Sequence, residues 1–395
     1  MSSLKQQFTV SFRYDVHFTT SLFDPSNRLF ADVISSNQET ELNQTIKKVL
    51  FVLDKGLLDH HPELFDEVQL YSKKYSDTFE VISQPVLIPG GETAKNNPEY
   101  TELILSATHK NGIDRHSYVV VVGGGSVIDT AGYAAAIAHR GIRLIRVPTT
   151  VLAQNDAAIG VKNGINAFGK KNFLGTFVPP FAVINDSEFL KTLSERDWRS
   201  GISEAVKVAL LKDPAFFDFI EQHSTALSQR DMAAMQHLIH RCAQLHLEHI
   251  LNSGDPFESG SSRPLDFGHW AAHKLEQLTG FELRHGEAVA IGLALDVTYS
   301  YLNGNIKESE WNRILNVLQQ CGFSIFVPEL YSKPDDPMDK GSLLHGLEEF
   351  REHLGGRLTI MLLGDIGKGI EVHTVDTGLY QKAIHLLEKK EKELV

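Results

Sequence analysis

Two cysteines, Cys242 and Cys321, in 395 residues are too few for a disulfide framework or for a zinc site built on several thiolates. Such a chain suits a reducing compartment. No apolar run reaches membrane-spanning length, and the opening MSSLKQQFTVSFRYDVHF alternates apolar with polar residues instead of offering an unbroken apolar signal core. A soluble cytoplasmic protein is therefore expected. Positive charge is scarce too: 38 Lys and Arg against 50 Asp and Glu leave a formal charge of -12, spread along the chain. That argues against a dedicated binder of nucleic acid or anionic membrane. Repeats, low-complexity tracts and charged linkers are also lacking.

What is present is apolar periodicity in two styles. Phe8, Val10, Phe12, Tyr14, Val16 and Phe18 alternate with polar residues, which predicts a half-buried strand. After it come KKVLFVLD (47–54), FEVISQPVLI (79–88), YVVVVGGG (118–125) and IRLIRVPTT (142–150), separated by helix-length segments in the rhythm of a wound parallel sheet. Beyond about residue 188, apolar residues recur at threes and fours, as in MAAMQHLIHRCAQLHLEHIL. RLTIMLLGDIG (357–367) reads as a strand or a buried helical turn. The expectation is an α/β N-terminal domain on a Rossmann-like parallel sheet, residues 1–187, then a mainly α-helical C-terminal domain, 188–395, packed directly against it with a cleft between.

Gly123 to Gly125 follow a buried strand and precede a helix, so backbone amides can approach an anion there. A bare glycine turn is the plainer alternative, since the G-x-G-x-x-G fingerprint is absent. Asp54, Glu92 with Lys95, and Thr149 with Thr150 sit at the ends of other strands, where an open sheet keeps its ligand crevice. A dinucleotide is the predicted guest. Further on, Asp156, Lys162, Asn166, Lys170, Lys171 and Asn172 share one polar stretch framed by apolar residues. It is either a solvated loop or a set of lysines, amides and a carboxylate suited to a phosphorylated polyol.

In SGISEAVKVALL, Ser200 is a possible helix cap, and Glu204 and Lys207 share one helical face. A surface ion pair is the bland reading. Apolar neighbours on several sides imply instead that these charges point into something, a metal or an anionic substrate, that relieves their burial. His269 and His273 would lie about 40° apart around a helix and could form a two-ligand site. Adding Glu204 and His285 gives the alternative: Glu204, His269 and His285 bind a metal while His273 faces substrate, leaving coordination positions open as catalytic zinc requires.

GGGSVIDTAG, RGIRLIRVPTTVLAQNDAAIGVKNGIN, KKNFLGTFVPP, GISEAVKVALLKD, DFGHWAAHKLE and RHGEAVAIGLALD, in this order and spacing, resemble 3-dehydroquinate synthase and the wider sugar phosphate cyclases. The likeness runs from about Asp54 to Gly286 and loosely beyond. It implies a dehydroquinate synthase-like fold, a homodimer, NAD, and a divalent metal, zinc or cobalt, on Glu204, His269 and His285. NAD would meet Asp54, Glu92, Lys95, Gly124, Gly125, Ser126, Asp129, Thr149, Thr150, Lys171 and Thr192. Substrate and catalysis would fall to Asp156, Lys162, Asn172, Lys207, Asp266 and His273, with Arg140 reaching into the partner subunit's site. The implied reaction is a phosphate-eliminating cyclisation of a seven-carbon sugar phosphate: transient oxidation, loss of phosphate, re-reduction, ring opening and intramolecular aldol closure.

Departures from that pattern bear on the substrate. His246 stands where dehydroquinate synthases carry a lysine, and RPLDFGH brings Arg263 one residue closer and puts Asp266 for asparagine. That lysine and arginine help hold the substrate carboxylate in those enzymes. Val161, Trp270 and the DAA at 156–158 also depart, and Arg351 lies near the place of a phosphate-binding lysine. Sedoheptulose 7-phosphate, without a carboxylate, suits the altered pair, yet His273 is kept where valiolone-type cyclases often change it. RPLDFGHWAAHKLE and FREHLGG most resemble the dehydroquinate-synthase-like proteins of bacterial Ebo gene clusters. Two other functions compete: a metal-dependent polyol or polyol-phosphate dehydrogenase of the glycerol dehydrogenase type, in which GGGSVID is also typical, and a non-catalytic binding protein on this fold. LAQNDAAIGVKNGIN favours the cyclase.

Overall fold

The structure, a computed structural model, describes residues 3–36, 46–252, 257 and 264–393. The chain forms two compact units, Met1–Thr149 with Gly160–Phe189, and Thr150–Ile159 with Leu190–Val395. In the first, strands β1 (Asp15–Thr19), β2 (Lys47–Asp54), β3 (Phe79–Val81), β4 (Val86–Ile88), β5 (Tyr118–Gly123) and β6 (Arg143–Pro148) alternate with helices α1 (Leu29–Ser35), α2 (Leu64–Lys74), α3 (Glu92–Asn96), α4 (Pro98–Lys110) and α5 (Gly125–Ile137). A hairpin, β7 (Lys162–Ala167) with β8 (Lys170–Phe177), and strand β9 (Ala182–Asp186) complete it.

The sheet runs β1-β9-β6-β5-β2-β3, with β4 also on β2, and every pairing in it is parallel. All six positions of β5 are buried, which accounts for its unbroken valines, since a parallel strand is covered on both faces. Edge-to-face contacts of Phe30 with Phe23 and Phe79 fill the core on one side.

Two strand expectations need correction. The alternating segment from Phe8 is strand only at Asp15–Thr19, and Phe8, Val10 and Phe12 are exposed. The register explains why: Asp15 pairs with Ala182, the first residue of β9, and Pro179 and Pro180 stop that strand from extending further back. The 79–88 run is broken before Pro85 into β3 and β4, which pair with opposite ends of β2.

The second unit holds helices α6 (Glu195–Lys212), α7 (Pro214–Ser228), α8 (Met232–Asn252), α9 (His269–Leu278), α10 (His285–Leu302), α11 (Glu308–Gln320), α12 (His345–His353) and α13 (Thr377–Lys392). Its hairpin, β10 (Ile360–Asp365) with β11 (Lys368–Val372), settles the 357–367 ambiguity as strand. Ser200 is not a cap: α6 begins a turn and a half earlier, where the Ser194 side chain accepts from the Asp197 amide, and Ser200 lies buried inside the helix. A Cβ on Gly286 would overlap the Ser200 carbonyl, so glycine lets α10 lie directly on α6. Gly268, with φ +76, opens α9, and a Cβ there would stand 2.7 Å from the Leu293 amide of α10. These close approaches hold α6, α9 and α10 together. Among the described residues no helix is long and apolar enough to cross a membrane.

Candidate functional site

In the second unit the chemistry gathers around α6. Glu204 is fully buried and Lys207 is 3% exposed. The Lys207 ammonium pairs with Glu204 Oε2, while Oε1 has no hydrogen-bond partner among the described residues. Facing that oxygen are Nε2 of His269 and Nε2 of His285, each 3.5 Å away. Tetrahedral ligands at about 2.0–2.1 Å from zinc stand about 3.4 Å from one another, so this spacing and the orphaned oxygen fit a dication. Burial pushes the Glu204 carboxyl up, but the Lys207 ammonium and His269 outweigh it and hold it well below the usual carboxylate range.

Each imidazole is held from behind. His269 Nδ1 lies 3.1 Å from the Phe267 carbonyl, and His285 Nδ1 lies 3.4 Å from Oε2 of Glu276. His285 is lowered by burial, yet the carboxylates of Glu276 and Glu204 raise it to about 9 overall. His273 stands beside both rings, with centroids 5.6 Å from His269 and 6.0 Å from His285. The structure thus groups His269 with Glu204 and His285, and His273 with Glu276 and His285.

Asp156 arrives on a π-helical turn, Ala153–Ala157, pinned to α6 by the Asn155 amide donating to the Gly201 carbonyl at 2.7 Å. Its Oδ1 is 3.1 Å from His246 Nδ1 on α8. Burial and Glu204 raise the Asp156 carboxyl, but the hydrogen bond and charge of His246, with Lys207, more than offset them and lower it. Asp266 Oδ2 is buried with no hydrogen-bond partner among the described residues. Thr150 Oγ1 accepts from the Ala153 amide at 3.1 Å, holding the π-turn, and Thr192 is half-buried. Arg351 is exposed on α12 and paired with Glu348. Arg263 lies outside the described residues.

In the first unit β5 passes straight into α5, whose N-cap is Gly124 and whose first turn, Gly125 and Ser126, has no side-chain cap, so its amides can take an anion. Thr149 donates its amide to the Gly123 carbonyl at 3.0 Å, and a Cβ on Gly123 would crowd Val127 and Asp54. Burial raises the Asp54 carboxyl despite amide donors from Gly56, Gly124 and Leu57. Lys95 binds Asp129 at 2.6 Å and also Asn172, so a residue expected among substrate contacts joins two expected at the cofactor. Lys171 meets Glu92 at 3.1 Å, and Asn166 bonds the same carboxylate at 2.7 Å. Lys162 is exposed at the start of β7, and Arg140 is exposed with φ 63.

Sequence reading passed over Glu276 and Asp296. Glu276 follows His269 by two helical turns, a spacing that could have flagged it. Asp296 is the lone acid in GLALDVTYSYL, a charge in an apolar helix and hence a signal in itself. It is fully buried and accepts from Trp270 Nε1 at 3.0 Å, Tyr380 OH at 2.8 Å and the Gly268 amide at 3.1 Å, tying the start of α9 to α10 and α13. Burial lifts its carboxyl to about 7 against those donors. A raised acid favours the folded state at low pH, and that contribution fades as pH climbs from about 4 towards 7. Asp296→Asn should therefore flatten the fall in stability between pH 5 and 7, a difference of about 2 kcal/mol. Denaturant melts of both proteins at the two pH values check it; parallel pH profiles would contradict it.

Residues 85–200 match the family model for the 3-dehydroquinate synthase N-terminal region, and residues 201–340 match the model for its C-terminal region. The 3-dehydroquinate synthase of Nitrosospira multiformis is 37% identical over 303 residues, covering 76% of this chain and 80% of that protein. Among solved structures, the 2-epi-5-epi-valiolone synthase ValA from Streptomyces hygroscopicus subsp. jinggangensis, with NAD+ and Zn2+ bound, superposes with TM-score 0.85 at 28% identity, covering 98% of this chain and all of that one. A 2-deoxy-scyllo-inosose synthase complexed with carbaglucose-6-phosphate, NAD+ and Co2+ shares the fold, with TM-score 0.74 at 23% identity over 93% of this chain and 95% of that one.

Proposed function

The chain belongs to the 3-dehydroquinate synthase family, and from that premise we propose that it is an NAD- and metal-dependent sugar phosphate cyclase, a lyase that expels phosphate from a seven-carbon sugar phosphate and closes a carbocycle. The observation that carries this reading is the buried Glu204 oxygen, without a hydrogen-bond partner among the described residues and equidistant from two imidazole nitrogens.

Glu204, His269 and His285 hold the divalent ion, zinc or cobalt. When bound, NAD supplies a reversible hydride acceptor and the ion an electrophile for a substrate oxygen. Lys207 keeps Glu204 ionised and, with Asp156 and Asp266, lines the place where substrate hydroxyls bind. His273, beside the two ligand imidazoles rather than among the ligands, moves a proton on the substrate. Lys162 and Asn172 take the phosphate end. In the first unit the amides of Gly124, Gly125 and Ser126 receive the pyrophosphate. Asp54, Glu92, Lys95, Asp129 and Lys171, with the hydroxyls of Thr149, Thr150 and Thr192, hold the rest of the dinucleotide. Arg140 serves the partner subunit's site in a homodimer.

A substrate without a carboxylate, of the sedoheptulose 7-phosphate kind, fits better. His246, at the position of the carboxylate-binding lysine, is engaged with Asp156 rather than offering a lysine's fixed charge. The test is a panel of seven-carbon sugar phosphates, with and without a carboxylate, incubated with protein, NAD+ and zinc or cobalt. Phosphate release with no accumulating NADH absorbance is expected. Stoichiometric NADH without phosphate would make it a polyol dehydrogenase, and no turnover with no bound metal a binding protein.

A further inference from the structure

We infer that Glu276 is a positioning residue for the metal centre: its carboxylate accepts the Nδ1 proton of His285 and thereby presents the Nε2 lone pair of that ring towards Glu204 and His269. The inference rests on the reading that Glu204, His269 and His285 hold the ion.

His269, His273 and Glu276 follow one another at four and three residues along α9 and so share a face. The Glu276 side chain is 4% exposed, and a carboxylate so deeply buried needs donors. One such donor is within reach, at 3.4 Å, on the ring whose other nitrogen faces Glu204 at 3.5 Å. An ion binding at Nε2 displaces the proton there and leaves the ring one proton, which an acceptor fixed behind Nδ1 keeps on that nitrogen. The two rings are braced differently. His269 leans on the neutral Phe267 carbonyl, whereas His285 leans on a charge, which also makes its nitrogen a stronger donor to a cation. His285 opens α10 and Glu276 lies near the end of α9, so this contact fixes the ring across two helices.

Glu276 belongs also to a competing trio: a ligand atom of each of His273, Glu276 and His285 lies within 4.8 Å of the others. Were that trio the site, Glu276 would be a ligand. The orphaned Glu204 oxygen on the opposite side of the ring favours the bracing role.

Metal-free wild type, Glu276→Gln, Glu276→Asp and His269→Ala are titrated with Co2+ against a competing chelator, followed by the visible absorption of the bound ion. Glu276→Gln is expected to bind Co2+ with the wild-type spectrum but about 10- to 100-fold more weakly. Glu276→Asp, which keeps the charge but draws the oxygens back, weakens binding too and serves if the glutamine variant does not fold. His269→Ala loses the ion. Wild-type affinity in the Glu276 variants alongside loss in His269→Ala would overturn the positioning role and leave the triad standing. Loss in Glu276→Gln with retention in His269→Ala would overturn both, making Glu276 a ligand.

Discussion

His285→Ala should lose metal and turnover together, whereas His273→Ala should keep the metal and lose turnover. Nε2 of His285 is 3.5 Å from the Glu204 oxygen, and Nε2 of His269 is at the same distance. Two protein ligands hold a dication far more weakly than three, so the metal content of dialysed His285→Ala should fall below about a tenth of wild type. His273 shares its trio with Glu276 and His285 rather than with Glu204. Its removal should therefore cost proton transfer alone, roughly 10²- to 10⁴-fold in phosphate release. Metal analysis and a phosphate assay on the same preparations separate the roles. Equal metal content in wild type and His285→Ala would refute them.

Lys207→Ala should be the most destabilising single change at the site. The ammonium is pressed down by burial, but Glu204 and Asp156 raise it overall, so it is a cation held between two acids. Truncating it leaves the fully buried Glu204 carboxylate without its counter-charge, a loss of about 3–5 kcal/mol in the metal-free protein. The sign with pH follows from Glu204, whose lowered carboxyl contributes stability above its unfolded value and loses it as pH falls through the folded one. The deficit should therefore shrink in acid. A dication restores positive charge, so zinc should raise the melting temperature of Lys207→Ala more than that of wild type. Equal melting temperatures for the two metal-free proteins would sink this view of the pair.

Much of this was legible where one physical signal dominates. Strand β2 ends where its apolar run ends, at Asp54, because a strand buried on both faces leaves no ambiguity. The placement of His269 and His273 on one helix followed from spacing, and their relation to Glu204 and His285 from a resemblance. The hairpin β7–β8 was missed because β8 is largely exposed along its length and shows no alternation. Its turn depends on Phe168 and Gly169, both with positive φ, which composition does not announce. The π-turn carrying Asp156 was invisible for a related reason: it is fixed by Asn155 reaching the Gly201 carbonyl, a tertiary bond with no local signature. Glu276 and Asp296 each left a local signal, a helical spacing and a lone acid in an apolar helix, but the contacts behind His285 and beneath Gly268 are made between elements and leave none.

Anomalous diffraction from crystals grown with zinc tests the metal centre most directly. One strong peak is predicted, about 2.0–2.1 Å from Nε2 of His269, Nε2 of His285 and a carboxylate oxygen of Glu204. A peak between His273 and Glu276 instead, or none at saturating zinc, would contradict it.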